Sequence, residues 1–117
     1  MGHDLNFWRY QECVALSHQD VCERLSGGKK VEGLVDLPIV NILTRIADSF
    51  SADWTRFGND CWESDRGAFQ LFTTDQFVHV SCYGMNGDDM NIFIDILLEF
   101  DCPLYDPQIG ERFGGGP

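Results

Sequence analysis

The chain has 117 residues, 44% hydrophobic and 23% charged, with nineteen Asp and Glu against eight Lys and Arg and a formal net charge of −11. That is the length of one domain, with enough apolar material for a core and the charged fraction of a globular rather than a disordered chain. The acidic excess argues against a direct nucleic-acid binder, which must neutralise phosphates, and against a polybasic membrane-surface protein; no stretch approaches the roughly 18 to 20 apolar residues of a spanning helix.

Residues 7–16 are rich in aromatic residues, hold no Gly or Pro, and read as a strand. The competing reading is one helix from Leu5 to Ser26, because short apolar runs do not separate the two periods. Ser17-His18-Gln19-Asp20 matches a helix-start signal, with the Ser17 hydroxyl placed to accept from the Asp20 amide. That helix carries Val21, Cys22 and Leu25 and stops at Gly27-Gly28. Residues 27–36 form a connector. Asp36-Leu37-Pro38 opens a second helix, 38–50, since Pro near the first turn has no amide to lose. Ile39, Ile42, Leu43, Ile46 and Phe50 give it one apolar stripe.

Residues 51–67 show no clean period and read as a loop with a short strand around Cys61-Trp62-Glu63. Alternation returns in residues 68–83, an antiparallel hairpin turning at Thr73-Thr74-Asp75-Gln76. Asn86-Gly87-Asp88-Asp89 caps a helix over 89–100, striped by Met90, Phe93, Ile94, Leu97 and Leu98. Cys102-Pro103-Leu104-Tyr105 reads as a short edge strand, and 106–110 as a turn. The expectation is an α+β fold: an antiparallel sheet with helices packed on one face, ferredoxin-like βαββαβ with an extra N-terminal helix. Residues 1–113 make one globular domain and 114–117 a flexible tail. Leu43, Ile46, Val80, Phe93 and Leu97 should be buried.

The chemistry-bearing residues are sparse. Five cysteines, an odd number with no C-x-x-C pair, read as reduced thiols of a cytoplasmic protein. The N-terminus, Met1 to Asn6, lacks the basic and apolar regions of a secretory leader. No close Cys or His pair suggests zinc, no acidic loop suggests calcium, and no Gly-rich loop with Lys-Ser/Thr suggests a phosphate cradle, so no metal or cofactor is expected. His79 and Cys82 lie on opposite faces of their strand and cannot pair locally. His79, Ser81 and Tyr83 share one face, the natural place for a small enzyme or ligand site. The other cluster is Asp60, Trp62, Glu63 and Asp65, where a large aromatic sits within a run of acids. Such a patch suits a partner-binding surface, with Trp62 as anchor and the acids steering. The alternative is that Trp62 turns inward and caps the core.

The C-terminal third, Cys82-Tyr83-Gly84-Met85-Asn86-Gly87-Asp88-Asp89-Met90 through Cys102-Pro103-Leu104-Tyr105-Asp106-Pro107-Gln108, resembles small uncharacterised bacterial α/β proteins of the toxin-immunity type. The resemblance implies a small acidic domain that acts by stoichiometric binding, and its matching residues point to no catalytic residue. The net charge of −11 suits a basic protein partner, a toxin or a defence enzyme such as a nuclease.

Overall fold

Leu5 and Phe7 alternate with Asp4 and Asn6, and this alternation starts the fold. In the computed structural model, which describes residues 2–11, 14, 16–50, 52, 54–58 and 60–106 with the backbone of 111–113, Gly2–Phe7 is a strand, β1. The sequence reading placed this strand too late, at 7–16. Leu5 and Phe7 enter the main core, whereas Trp8 enters a second one. Past Phe7, among the described residues, an isolated bridge from Tyr10 to Leu34 continues the pairing. The single-helix reading of 5–26 falls with it. Glu12, Cys13 and Ala15 lie outside the described residues.

The helix starts fall where their caps dictate. Helix α1 spans His18–Ser26, and the Ser17 Oγ accepts from the Asp20 amide at 3.4 Å. Helix α2 spans Ile39–Phe50 and buries Ile42, Ile46 and Phe50. Leu43, expected to be buried, is only half-buried at the rim of that stripe. Helix α3 spans Gly87–Glu99, and the Asn86 Oδ1 accepts from the Asp89 amide at 2.8 Å.

The short strand expected around Cys61-Trp62-Glu63 is β3, Cys61–Ser64, and the loop expected before it also contributes a strand, β2, at Thr55–Phe57. The hairpin is β4, Gly67–Thr74, and β5, Phe77–Tyr83. After α3 come β6, Leu104–Asp106, and β7, Glu111–Phe113. All pairs are antiparallel and form one sheet in the order β2-β3-β4-β5-β1-β6-β7. Strand β6 is therefore not an edge, because β1 and β7 flank it. Residues 107–110 and the tail 114–117 lie outside the described residues. The chain is α+β with an antiparallel sheet, and its seven-strand order is not that of a simple ferredoxin-like fold.

The helices do not share one face. Helices α2 and α3 pack on the face carrying Leu5, Phe7, Phe69, Leu71, Val78, Val80 and Cys82. Phe50 of α2 stacks on Phe93 of α3 with centroids 4.8 Å apart, and Phe69 sits 4.8 Å from both rings. Helix α1 packs on the opposite face, where Val21, Cys22 and Leu25 meet Trp8, Phe77 and Tyr105. The alternation of β5 forces this division: Val78, Val80 and Cys82 point to one core, and Phe77 to the other. Helix α1 covers only one end of its face. The remainder of that face is open.

Candidate functional site

The open face is built by strand register. Asp4 stands opposite Ser81, and Asn6 opposite His79 and Tyr105. On the other side of β5, Ser81 meets Gln70 and His79 meets Phe72. The same rows continue outward through Cys61 to Phe57, and from Tyr83 through Ala68 to Glu63. Residues far apart in the chain thus converge on one surface.

At its centre lies a hydrogen-bonded file. The Asn6 Nδ2 donates to the Tyr105 carbonyl at 3.4 Å, which turns Oδ1 toward His79 Nδ1, 2.6 Å away. Oδ1 can only accept, so His79 carries its proton on Nδ1. In the neutral ring Nε2 is then the acceptor, and Ser81 Oγ donates to it at 3.0 Å. Burial holds the His79 pKa below the ordinary histidine value, and the Asp4 carboxylate, 3.7 Å from Nε2, opposes that shift. The ring is neutral at pH 7. Chemically, the file is a hydroxyl with a neutral base beside it and an orienting amide behind that base.

Aromatic rings surround the file. Phe57 is 51% exposed, Phe72 42% and Tyr83 50%, and every exposed aromatic among the described residues lies on this face. Among the described side chains, the charged residues of this face are Asp4 and Glu63, both exposed. Cys82, facing the opposite way, has its thiol pKa pushed up to about 12, chiefly by burial.

The acidic aromatic cluster read from the sequence does not act as one patch. Asp60, Glu63 and Asp65 are exposed, Asp60 just before β3 and Asp65 just after it. Trp62 is buried at 6% exposure, stacked on Phe69 at 5.9 Å with planes 9° apart. Period-two alternation puts Trp62 in the main core and Glu63 on the open face, so Trp62 cannot anchor a partner at the surface. The inward alternative is the observed one. His79 and Ser81 are brought together as their spacing implies, and Tyr83 follows on the same side. Asp4 and Asn6 were missed, because nothing local links them to a strand more than seventy residues later.

Other features hold less. A crevice of about 850 Å³ lies against residues 30–36, but the Gln76 amide there is occupied by the Val31 backbone N–H and carbonyl, both at 2.9 Å. Among the described residues no group of three or more His, Cys, Asp and Glu is placed to hold a metal, and no helix is long and apolar enough to cross a membrane. Comparison with protein-family models, with curated proteins and with solved structures found no match.

Proposed function

We propose that this chain is a cytoplasmic protein that acts by stoichiometric binding, an immunity or inhibitor protein that neutralises a basic partner such as a toxin or defence nuclease. The observation that supports this reading is where the charge sits. Arg9, Arg45 and Arg66 pair within the fold with Asp101, Glu99 and Asp89. Asp60, Glu63 and Asp65 stay exposed around β3. A charge of −11 exceeds the magnitude of about 2 to 8 that keeps a small domain soluble. Such a field raises the rate of encounter with a basic protein and makes it salt-sensitive. The likeness of the C-terminal third to immunity-type proteins agrees with this. Separately, the inner strand order β4-β5-β1-β6 supports a ferredoxin-like framework extended by β2, β3 and β7.

The test is association kinetics with the partner captured from the source cell. The triple variant D60N/E63Q/D65N should associate more slowly at low salt and converge with the wild type at high salt. Equal rates at both salt concentrations reject these acids as the steering surface.

A second reading, a small enzyme, rests on the Ser81–His79–Asn6 file, in which His79 acts as base and Ser81 as nucleophile. A serine-directed fluorophosphonate checks it: the Ser81 oxygen would form a bond to phosphorus and fluoride would leave, with the proton taken by His79. Adduct on Ser81 that is lost in H79Q supports an activated hydroxyl. An unmodified wild type removes this reading.

A further inference from the structure

We infer that the open sheet face spanning β2 to β1 is the docking site for an extended, arginine-rich segment of the partner. This rests on the reading above that the partner is basic. Phe57, Phe72 and Tyr83, from three different strands, leave about half of each residue in solvent. Cys61, Gln70 and Ser81 continue the row of Phe57, and Ala68 stands beside Tyr83. Phe72 and Tyr83 stand on either side of that row.

The occupant follows from charge. On the described side chains of β1 to β6 this face carries Asp4 and Glu63 and no Lys or Arg, and His79 is neutral. A nucleic acid or a second copy of this acidic chain would meet like charge here. A guanidinium suits the face on both counts, since it stacks on aromatic rings and pairs with carboxylates through a planar fork. The chain itself already uses this contact elsewhere: the Arg56 guanidinium sits 5.4 Å from the Trp62 ring centroid. Strands lie about 4.8 Å apart and rise about 3.4 Å per residue, so Phe57, Phe72 and Tyr83 are separated by roughly 10 to 15 Å. An extended segment of about four or five residues covers that distance. Side chains four residues apart in such a segment face the sheet together and would reach one aromatic and then the next.

The probe is a capped oligo-arginine peptide of about nine residues, long enough to cross the face. An oligo-lysine of equal length is the control. Both are titrated into the isotope-labelled protein at about 150 mM salt, where the screening length is roughly 8 Å. Amide shifts should concentrate at Phe57, Cys61, Gln70, Phe72, Ser81 and Tyr83, with arginine bound more tightly than lysine. The F72A/Y83A variant keeps every charge and removes no buried side chain. It should bind oligo-arginine about five- to thirtyfold more weakly, the loss expected for two exposed cation–π contacts. If the variant binds as the wild type does, or the shifts lie elsewhere, this face is not the site, while the basic-partner reading stands. If neither peptide binds even at about 10 mM salt, where screening is slight, both readings fail.

Discussion

The Asn6 and His79 side chains meet across β1 and β5 at 2.6 Å, and the register of the two strands alone puts them there. The Tyr105 carbonyl orients the Asn6 amide, the amide fixes the imidazole tautomer, and the tautomer makes Ser81 a donor. The file thereby fixes the tautomer and position of His79, and burial holds the ring neutral.

This arrangement gives stability a pH dependence. The folded-state pKa of His79 is lowered by burial below the unfolded value of roughly 6.5. Below that pH the unfolded chain takes up the proton first, so unfolding is favoured as pH falls. The His79 contribution is fully present above about pH 6.5 and is lost as pH drops toward the folded pKa. H79Q should therefore show a shallower fall in unfolding free energy between about pH 7 and 5 than the wild type. Denaturant titrations across that range check it. Parallel slopes would show that His79 does not titrate differently on folding.

Trp62→Ala should cost about 3 to 5 kcal/mol of stability, the range for truncating a buried aromatic. Its ring stacks on Phe69 at 5.9 Å. Neighbouring Glu63 is exposed, and Glu63→Gln should change stability by less than about 0.5 kcal/mol. Equilibrium unfolding of the two variants compares them. A loss below about 0.5 kcal/mol for Trp62→Ala would put its ring at the surface.

Elements coded by neighbouring residues were legible in the sequence. The Ser17 and Asn86 caps, the stripe of α2 and the 68–83 hairpin each need only a few adjacent positions, and each is where it was expected. Strand β2 was not legible, because all three of its residues are exposed and leave no alternation to read. The placement of α1 on the second face was hidden for a different reason. Its apolar stripe shows that it packs, but only the switch from Phe7 to Trp8 between two cores shows where. At the site, the shared face of His79, Ser81 and Tyr83 could be read from spacing alone. Asp4 and Asn6 could not, since they join through β1–β5 register. The Trp62 cluster misled because acids flanking an aromatic look the same whichever way a strand presents its alternate residues.

Gly67 opens β4 at a backbone φ of +130°, a region that favours glycine. A Cβ there would stand 2.6 Å from the Tyr83 carbonyl oxygen and 3.0 Å from the backbone at Gly84 and Met85. Strain at such a position costs about 1 to 3 kcal/mol before any clash is counted. Gly67→Ala should therefore lower stability by at least about 2 kcal/mol. Gly58→Ala, also at positive φ but with no atom within 4 Å of the added carbon, should cost less. Thermal unfolding midpoints of the two variants test the difference. Equal midpoints would mean that β4 and the chain after β5 do not approach this closely.

The thiols should react in an order set by burial. Cys61 is half-exposed on the open face. Cys22 and Cys82 are buried, and desolvation raises both pKa values, that of Cys82 to about 12. The thiolate is the reacting species, so a thiol raised this far offers almost none at neutral pH. Cys102 is fully buried, with its Sγ 3.6 Å from the Phe100 carbonyl oxygen. In the native protein at neutral pH, a chromogenic disulfide reagent should therefore modify Cys61 before Cys22, Cys82 and Cys102, whose reaction waits on opening of the fold. Cys13 lies outside the described residues. After denaturation without reductant, the count should rise to five, the number of cysteines in the chain. Peptide mapping of the first modified site decides the matter. Modification of Cys82 before Cys61 would mean that the sheet opens between β5 and the helices more readily than this core allows.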